Sequence, residues 1–329
     1  MNITKKLNIR TDIFKQIGKY RGELMGIAIL GVLLCHFAIS TYYIPGMFFI
    51  AGLVYTQGFL FLSGYGLYYS FKNCNYNIQT FYKKRLLRLY IPFVIMSLPF
   101  YIPLCYKLGD GFWFVIRSIT TLSFWVGDNW FSMWYIAVSL VLYLLYPLIH
   151  KLMFSKSGAI KIQGIILVLI GFIGINEVLK LGNPYCVELA QWLGKCVIFP
   201  IGILTAYLAE KRISLPIYIQ IIWIACMSIM SMLWHGIEDN YYQICMCLAA
   251  IPSFCLLFEA FNLVKIRIVL QWLGKYTLEI YILHCLPHFF MCNICNVPCQ
   301  ISRVIAIAFA LISCSYIHNG IEHLLKKIK

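Results

Sequence analysis

Long apolar runs recur along this chain from Leu24 almost to its last residue. Each run is about 20 residues long, the length an α-helix needs to cross a hydrocarbon layer about 30 Å thick. Charged residues make up 12% of the sequence, against about 25% in soluble domains. The pattern therefore predicts an all-α, polytopic integral membrane protein rather than a soluble one.

Ten membrane spans are predicted within a single integral domain over residues 1–329. The first apolar run is followed by a second one rather than by a small-residue cleavage site, so we expect a retained helix and not a signal peptide. The predicted spans cover residues 24–43, 47–71, 88–107, 130–150, 160–177, 190–209, 214–234, 241–261, 269–289 and 303–321.

Basic residues are concentrated in alternate loops of this arrangement. With the N-terminus in the cytoplasm, most of the 27 lysines and arginines lie in cytoplasmic segments, as the positive-inside rule requires. The sequence thus predicts an N-in, C-in topology in which residues 1–22 and 322–329 are cytoplasmic. The net charge of +15 is then a topology signal for a protein whose partners include membrane lipids, and no nucleic-acid partner is expected.

The segment 109–129 is apolar but short, and it carries Arg117. As a span it would invert every later loop and remove the charge bias. We therefore predict a re-entrant or interfacial segment on the outer side, with an eleventh span as the alternative.

One imidazole, that of His36, lies inside the first predicted span, about 18 Å from its cytoplasmic end at 1.5 Å per residue. Ionisable groups within spans are costly and usually face a cavity, a partner or a substrate path. A neutral histidine takes a proton near pH 7, which makes His36 a candidate general base. The alternative is a histidine that only hydrogen-bonds to a neighbouring helix.

Three basic residues, Lys84, Arg85 and Arg88, lie at the start of the third predicted span and are called the basic cluster below. Their i, i+4 spacing puts Lys84 and Arg88 on one helix face. Arginine binds phosphates through two parallel hydrogen bonds, so the cluster is a candidate clamp for a phosphorylated donor from the cytosol. The alternative is an inner-leaflet anchor that contacts lipid phosphates.

Other polar residues are weaker candidates. Glu279 and His284 are five positions apart, about 140° around a helix, so we expect each to contact a different neighbouring helix. Asp128, Asn129 and Trp130 lie where a helix enters the membrane from outside. They are candidates for a substrate entrance, although an aromatic residue there also fits the interfacial belt.

Three cysteines, Cys292, Cys295 and Cys299, lie close together in a predicted outer loop. Such spacing raises the possibilities of a metal site and of a disulfide. Neither is expected, because no matching fourth ligand stands nearby in the sequence. No metal is predicted elsewhere in the chain.

Five segments carry a resemblance to a known family. They read LMGIAILGVLLCHF, FLFLSGYGLYYSF, FYKKRLLRLYIP, WYIAVSLVLYLLYPLI and WLGKYTLEIYILH. In this order they resemble the membrane-bound acyltransferase-3 family of bacterial surface-glycan O-acyltransferases, and the likeness covers nearly the whole chain. In the family's first helix an arginine precedes a histidine by ten intervening residues. His36 matches the histidine, but Met25 stands at the arginine position, so Arg21, one turn earlier, is a candidate substitute.

The resemblance implies an enzyme of the bacterial plasma membrane that moves an acyl group, with acetyl expected, from cytosolic acyl-CoA to a hydroxyl of a cell-surface or lipid-linked carbohydrate. It implies no permanently bound cofactor. On this interpretation the basic cluster, alone or with Arg21, holds the donor phosphates. His36 deprotonates the acceptor, with an acyl-His36 intermediate as a variant. The alternative function is a non-enzymatic transporter of a lipid-linked glycan or small molecule, although no inverted repeat or paired broken helices are apparent.

Overall fold

The computed structural model describes residues 10–41, 46–109, 111–127, 133–154, 159–235 and 239–328. Nearly all of this backbone is α-helical, as the apolar runs predict. In chain order the helices are α1 (Ile13–Lys19), α2 (Arg21–Thr41), α3 (Gly46–Lys72), α4 (Ile78–Arg85), α5 (Ile91–Leu108), α6 (Phe112–Ile119), α7 (Leu122–Trp125), α8 (Trp134–Phe154), α9 (Ala159–Lys180), α10 (Pro184–Leu193), α11 (Ile198–Glu210), α12 (Ile217–Trp234), α13 (Asp239–Ala260), α14 (Val264–Lys275), α15 (Thr277–Asn293) and α16 (Cys299–Ile328).

Short irregular elements join some of these helices. A π-helical turn, Leu86–Tyr90, connects α4 to α5, and a 3₁₀ turn, Gly194–Val197, connects α10 to α11. Two short strands, β1 (Arg10–Thr11) and β2 (Leu215–Pro216), pair in the antiparallel sense. The rest of the described chain is helix and short loop.

Seven helical runs of the described chain are long and apolar enough to cross a membrane. An eighth candidate is a bent pair, in which Ile13–Lys19 and Arg21–Phe37 meet at 71°. The protein is therefore an all-helical membrane protein, while the count of ten spans and the N-in, C-in orientation stay predictions. The seven runs are Ile78–Lys107, Trp134–Phe154, Lys161–Lys180, Pro184–Glu210, Ile217–Trp234, Asn240–Ala260 and Cys299–Lys327.

The prediction of one continuous helix over 269–289 is wrong. Helix α14 ends at Lys275, and α15 begins two residues later. Gly274 lies just before this break, and a Cβ atom there would come within 2.0 Å of the carbonyl oxygen of Gly22. Glycine permits this close approach, and its low helix propensity favours a helix end nearby.

The segment 109–129 forms two short helices in its described part. Helix α6 has 8 residues and α7 has 4, which at 1.5 Å per residue gives lengths of about 12 and 6 Å. Thr121 separates them in the left-handed conformation, with φ of 62°. Neither helix crosses a hydrocarbon layer of about 30 Å, as a re-entrant or interfacial segment requires.

The chain divides into two compact units. The first unit consists of Met1–Ala28, Leu53–Asn75 and Tyr146–Lys275. The second unit consists of Ile29–Gly52, Tyr76–Leu145 and Tyr276–Lys329. The single integral domain expected from the sequence stays a prediction.

In the first unit, the N-terminal turns of α2 lie directly against α14. A Cβ atom on Gly26 would come within 2.0 Å of the carbonyl oxygen of Leu270, so the two backbones touch. The buried carboxylate of Glu23 accepts hydrogen bonds from Arg267, at 3.0 Å, and from Gln271, at 2.9 Å. Close packing and a hydrogen-bonded buried carboxylate together hold the N-terminal turns of α2 against α14.

In the second unit, α15 and α16 form an antiparallel hairpin. Near one end of it His318 hydrogen-bonds to Glu279, and near the other His288 hydrogen-bonds to Ser302. Residues of α5, α6, α8 and both hairpin helices share one apolar core. Its most deeply buried members include Phe93, Tyr101, Ile136, Ile282 and Leu286.

Candidate active site

His36 lies on the part of α2 that belongs to the second unit, and it meets a second histidine there. Its ring contacts the ring of His284 on α15, with centroids 5.1 Å apart and planes tilted by 54°. His36 is half-buried and His284 is fully buried. From the sequence these residues are two separate polar candidates, and the structure brings them together.

The ring of His284 is held by its own helix. Its Nδ1 lies 2.9 Å from the carbonyl oxygen of Ile280. Because a carbonyl oxygen only accepts, Nδ1 carries the proton in the neutral ring and Nε2 is left as an acceptor. The thiol of Cys285 lies 3.2 Å from Nε2. His36, His284 and Cys285 thus present ligand atoms within 4.8 Å of one another, an arrangement that suits proton transfer or a thiophilic cation.

Arg303, in the first turns of α16, supplies positive charge to this group. Its guanidinium is half-buried and interacts electrostatically with His36, with His284 and with His288, one turn further along α15. Imidazoles beside a fixed guanidinium form a site that favours an anionic ligand or a developing negative charge.

Glu279 lies away from these imidazoles. Its Oε1 accepts a hydrogen bond from His318 Nδ1 at 2.7 Å, and the ring of Tyr276 lies edge-on to the same histidine. Glu279 therefore contacts α16 while His284 contacts α2, and the two residues do not pair with each other. The carboxylate ties the hairpin helices together.

The basic cluster occupies the junction of α4 and the π-helical turn. Lys84 and Arg88 are exposed, and neither has a hydrogen-bond or ion-pair partner among the residues that the structure describes. Arg85 is half-buried, and its guanidinium lies over the rings of Phe81, at 5.7 Å, and Tyr143, at 5.9 Å. The cluster thus has two charges exposed to solvent or lipid headgroups and one held against aromatic faces.

Arg21 lies in the first unit, in an open cavity of about 450 Å³. Its Nε donates to the carbonyl oxygen of Leu62 at 3.3 Å, and a Cβ atom on Gly66 would come within 2.7 Å of its guanidinium. Lys15 and Lys19 also line this cavity. Lys19 forms an ion pair with a glutamate of α13, which leaves a cavity that is basic and open.

The predicted entrance residues Asp128, Asn129 and Trp130 lie outside the described residues. Helix α7 ends three residues before them, and α8 begins four residues after Trp130. Their role stays a prediction.

Comparison with known proteins bears on the chemistry of this site. A family model described as an acyltransferase domain matches residues 24–319 of the 329-residue chain. The chain belongs to the acyltransferase-3 family. No curated protein and no solved structure matches it. The protein is accordingly a membrane acyltransferase, and the match includes His36, the basic cluster, Glu279, His284 and Arg303 but not Arg21.

Four residues near these imidazoles were missed by the sequence reasoning: Cys285, His288, Ser302 and Arg303. Two signals were readable. His284 and His288 are four positions apart and share a helix face, and Arg303 opens a predicted span, where a charge is costly. Cysteine and serine give no such signal, because in apolar helices they usually pack as small side chains.

Proposed function

We propose that this acyltransferase moves an acyl group, with acetyl as the expected group, from cytosolic acyl-CoA to a hydroxyl of a cell-surface or lipid-linked carbohydrate. The observation that carries the proposal is the pair of imidazoles, His36 and His284, beside the charge of Arg303. Acyl transfer to an alcohol needs a base and a positive environment for the tetrahedral oxyanion.

His36 is the proposed base. It takes the proton of the acceptor hydroxyl while the alcohol oxygen attacks the thioester carbonyl, so a C–O bond forms and the carbonyl π electrons move to oxygen to give the tetrahedral oxyanion. The carbonyl then re-forms as the C–S bond breaks and the CoA thiolate departs. The proton then passes to the departing CoA thiolate. His284, with Nδ1 fixed on Ile280, is proposed to hold the ring of His36 in place through their contact. A covalent acyl-His36 intermediate would use the same residues.

Arg303 is the proposed stabiliser of the oxyanion. Its positive charge acts on both imidazoles and would act equally on a carbonyl oxygen placed between them and α16. In a site shielded from water such a fixed charge is worth more than in solution, because little screening opposes it.

The donor phosphates are proposed to bind the basic cluster, Lys84, Arg85 and Arg88. Two of these side chains are exposed, and the π-helical turn that carries Arg88 is a backbone irregularity often found at functional sites. The basic cavity at Arg21 is the second candidate, and it offers the charge that Met25 cannot supply. Acyl-CoA is a substrate here, and no permanently bound cofactor is proposed.

The family resemblance supports the choice of membrane, and the charge bias of the loops supports the topology. We place the protein in the bacterial plasma membrane with ten spans and with both termini in the cytoplasm. Reporter fusions at Lys156 and Lys265 should then lie in the cytoplasm, and fusions at Asn296 outside. An outside Lys156 would contradict this topology.

The proposed reaction is tested with acyl-labelled acetyl-CoA and membranes that contain the protein together with an acceptor carbohydrate. Membranes that contain the enzyme should release free CoA thiol and labelled carbohydrate in equal amounts. The matched control for His36→Ala is His323→Ala, which changes an exposed histidine of α16. Carbohydrate that crosses the membrane unlabelled, with no CoA released, would instead establish the transporter function.

A further inference from the structure

A second group of histidine and cysteine side chains lies where α15 turns into α16. His288 and Cys292 are one turn apart on α15, and Cys299 begins α16. One ligand atom of each lies within 4.8 Å of those of the other two. These three residues are called the hairpin cluster. The sequence predicted no metal here because no matching fourth ligand stands near Cys292, Cys295 and Cys299. In the structure His288, four positions before Cys292, joins two of these cysteines, and Cys295 lies outside the group.

The distances within the hairpin cluster match the edges of a tetrahedral site. Cys292 Sγ lies 3.4 Å from Cys299 Sγ and 3.7 Å from His288 Nδ1. With Zn–S of about 2.3 Å and Zn–N of about 2.0–2.1 Å, a tetrahedron separates two sulfurs by about 3.8 Å and a sulfur from a nitrogen by about 3.6 Å. The two distances to Cys292 Sγ therefore lie within a few tenths of an ångström of the edges of a zinc site, and the ligand atoms of His288 and Cys299 lie within 4.8 Å of each other.

Ser302 holds the hairpin cluster in this geometry. Its hydroxyl donates to the carbonyl oxygen of Cys299 at 2.9 Å, so its oxygen accepts from His288 Nδ1 at 2.8 Å and from the Cys292 thiol at 2.9 Å. An ion bound at Nδ1 would replace the first of these bonds, with the ring proton moving to Nε2. The hydroxyl would remain beside the thiolate as an outer-sphere partner or supply the fourth ligand.

The chemistry of the donors selects the ion. Two thiolates and an imidazole are ligands of zinc and other thiophilic cations, and not of calcium or magnesium. Two thiolate charges neutralise a divalent ion. A disulfide between Cys292 and Cys299 would leave His288 without a role, so the cation accounts for more of the cluster.

We propose that His288, Cys292 and Cys299 bind a thiophilic divalent cation of the zinc class, with a fourth position filled by Ser302 or water. The ion closes the turn between α15 and α16 and so braces the two helices that carry His284 and Arg303. The proposal stands apart from the acyl-transfer reaction, and its test uses no acyl donor.

The test is cobalt binding by the full-length chain, purified in detergent and reduced. Cobalt occupies zinc-type sites and gives a thiolate-to-metal absorption band. We expect the band in the natural protein and in Cys295→Ser, the matched control, because Cys295 is exposed in the same loop and outside the cluster. Cys292→Ser and Cys299→Ser should lose the absorption band. Each should also bind cobalt at least about 10- to 100-fold more weakly, because loss of an outer-sphere partner alone typically costs that much affinity.

Two further measurements show whether the ion binds at the hairpin cluster without relying on variants that could fail to fold. His36→Ala should retain the band, since it disrupts only the separate group formed with His284 and Cys285. In the natural protein, zinc should protect Cys292 and Cys299 from alkylation while Cys295 reacts at an unchanged rate. A band that survives Cys292→Ser, equal alkylation of all three thiols with and without zinc, or a Cys292–Cys299 disulfide that withstands mild reduction would overturn the proposal.

Discussion

The imidazole of His36 lies beside that of His284, with ring centroids 5.1 Å apart, although the two residues come from helices at opposite ends of the sequence. His284 is fixed by the bond from its Nδ1 to Ile280, whereas His36 is only half-buried. On the proposed mechanism this asymmetry suits different roles: the half-buried ring is placed to react, and the fully buried ring to orient it.

The first prediction concerns His284. In His284→Leu the aromatic contact with His36 is lost while most of the buried volume is kept. If His284 orients the base, acyl transfer should fall by about 10- to 100-fold, less than the loss expected for the base itself. The rate of acyl transfer at matched protein level measures this. A Leu variant with the natural rate would show that His284 does not orient His36.

The second prediction concerns Arg303. Arg303→Gln removes the positive charge beside the imidazoles, and loss of one oxyanion-stabilising group typically costs about 10²- to 10³-fold in kcat. The KM for acyl-CoA should change little, because the donor phosphates are proposed to bind elsewhere. Lys107→Gln is the matched control, since Lys107 is an exposed cation bound to the carbonyl oxygen of Ile294. Equal kcat values in the two variants would contradict this role.

The third prediction separates a phosphate clamp from a lipid anchor in the basic cluster. The double variant Arg85→Lys, Arg88→Lys keeps both positive charges but loses the bidentate guanidinium donors. If these residues bind phosphate, its affinity for acyl-CoA should fall by about five- to thirty-fold. Membrane insertion and yield should not change. Lys83→Ala, at an exposed neighbouring position, is the control. Unchanged affinity in the double variant would move the donor site to the cavity at Arg21.

The fourth prediction concerns stability. Glu279 is buried and bonded to His318 at 2.7 Å, while Glu322 is exposed and lies 3.7 Å from the same ring. Glu279→Ala removes the buried acceptor of the partly buried His318 donor and should cost about 1–3 kcal/mol of unfolding free energy. Glu322→Ala should cost less than about 1 kcal/mol. Thermal melting in detergent measures both, and equal shifts would show that the buried bond adds nothing.

The long apolar runs were sufficient to predict an all-helical membrane protein, because a run of about 20 apolar residues has the length of a membrane-spanning helix. Sequence periodicity also separated Glu279 from His284, since 140° around a helix is a local property. It missed the break before α15, because Gly274 is required by contact with a distant backbone. The π-helical turn at Leu86–Tyr90 has no local signature either.

The site was only partly predictable for a related reason. His36 stands out because an imidazole in a span is costly, whatever surrounds it. The remaining contacts depend on how α2, α15 and α16 pack in the second unit. They are the contact of His36 with His284, the interaction of Arg303 with the imidazoles, and the approach of the three side chains of the hairpin cluster. No spacing in the sequence encodes these long-range contacts.

The central claim is that His36 is the base of an acyl transfer, and His36→Ala tests it most directly. With protein amount and acyl-CoA binding matched to the natural enzyme, transfer of labelled acyl group to the carbohydrate should fall by about 10²- to 10⁴-fold, while His323→Ala keeps the natural rate. Transfer at the natural rate by His36→Ala would contradict the account.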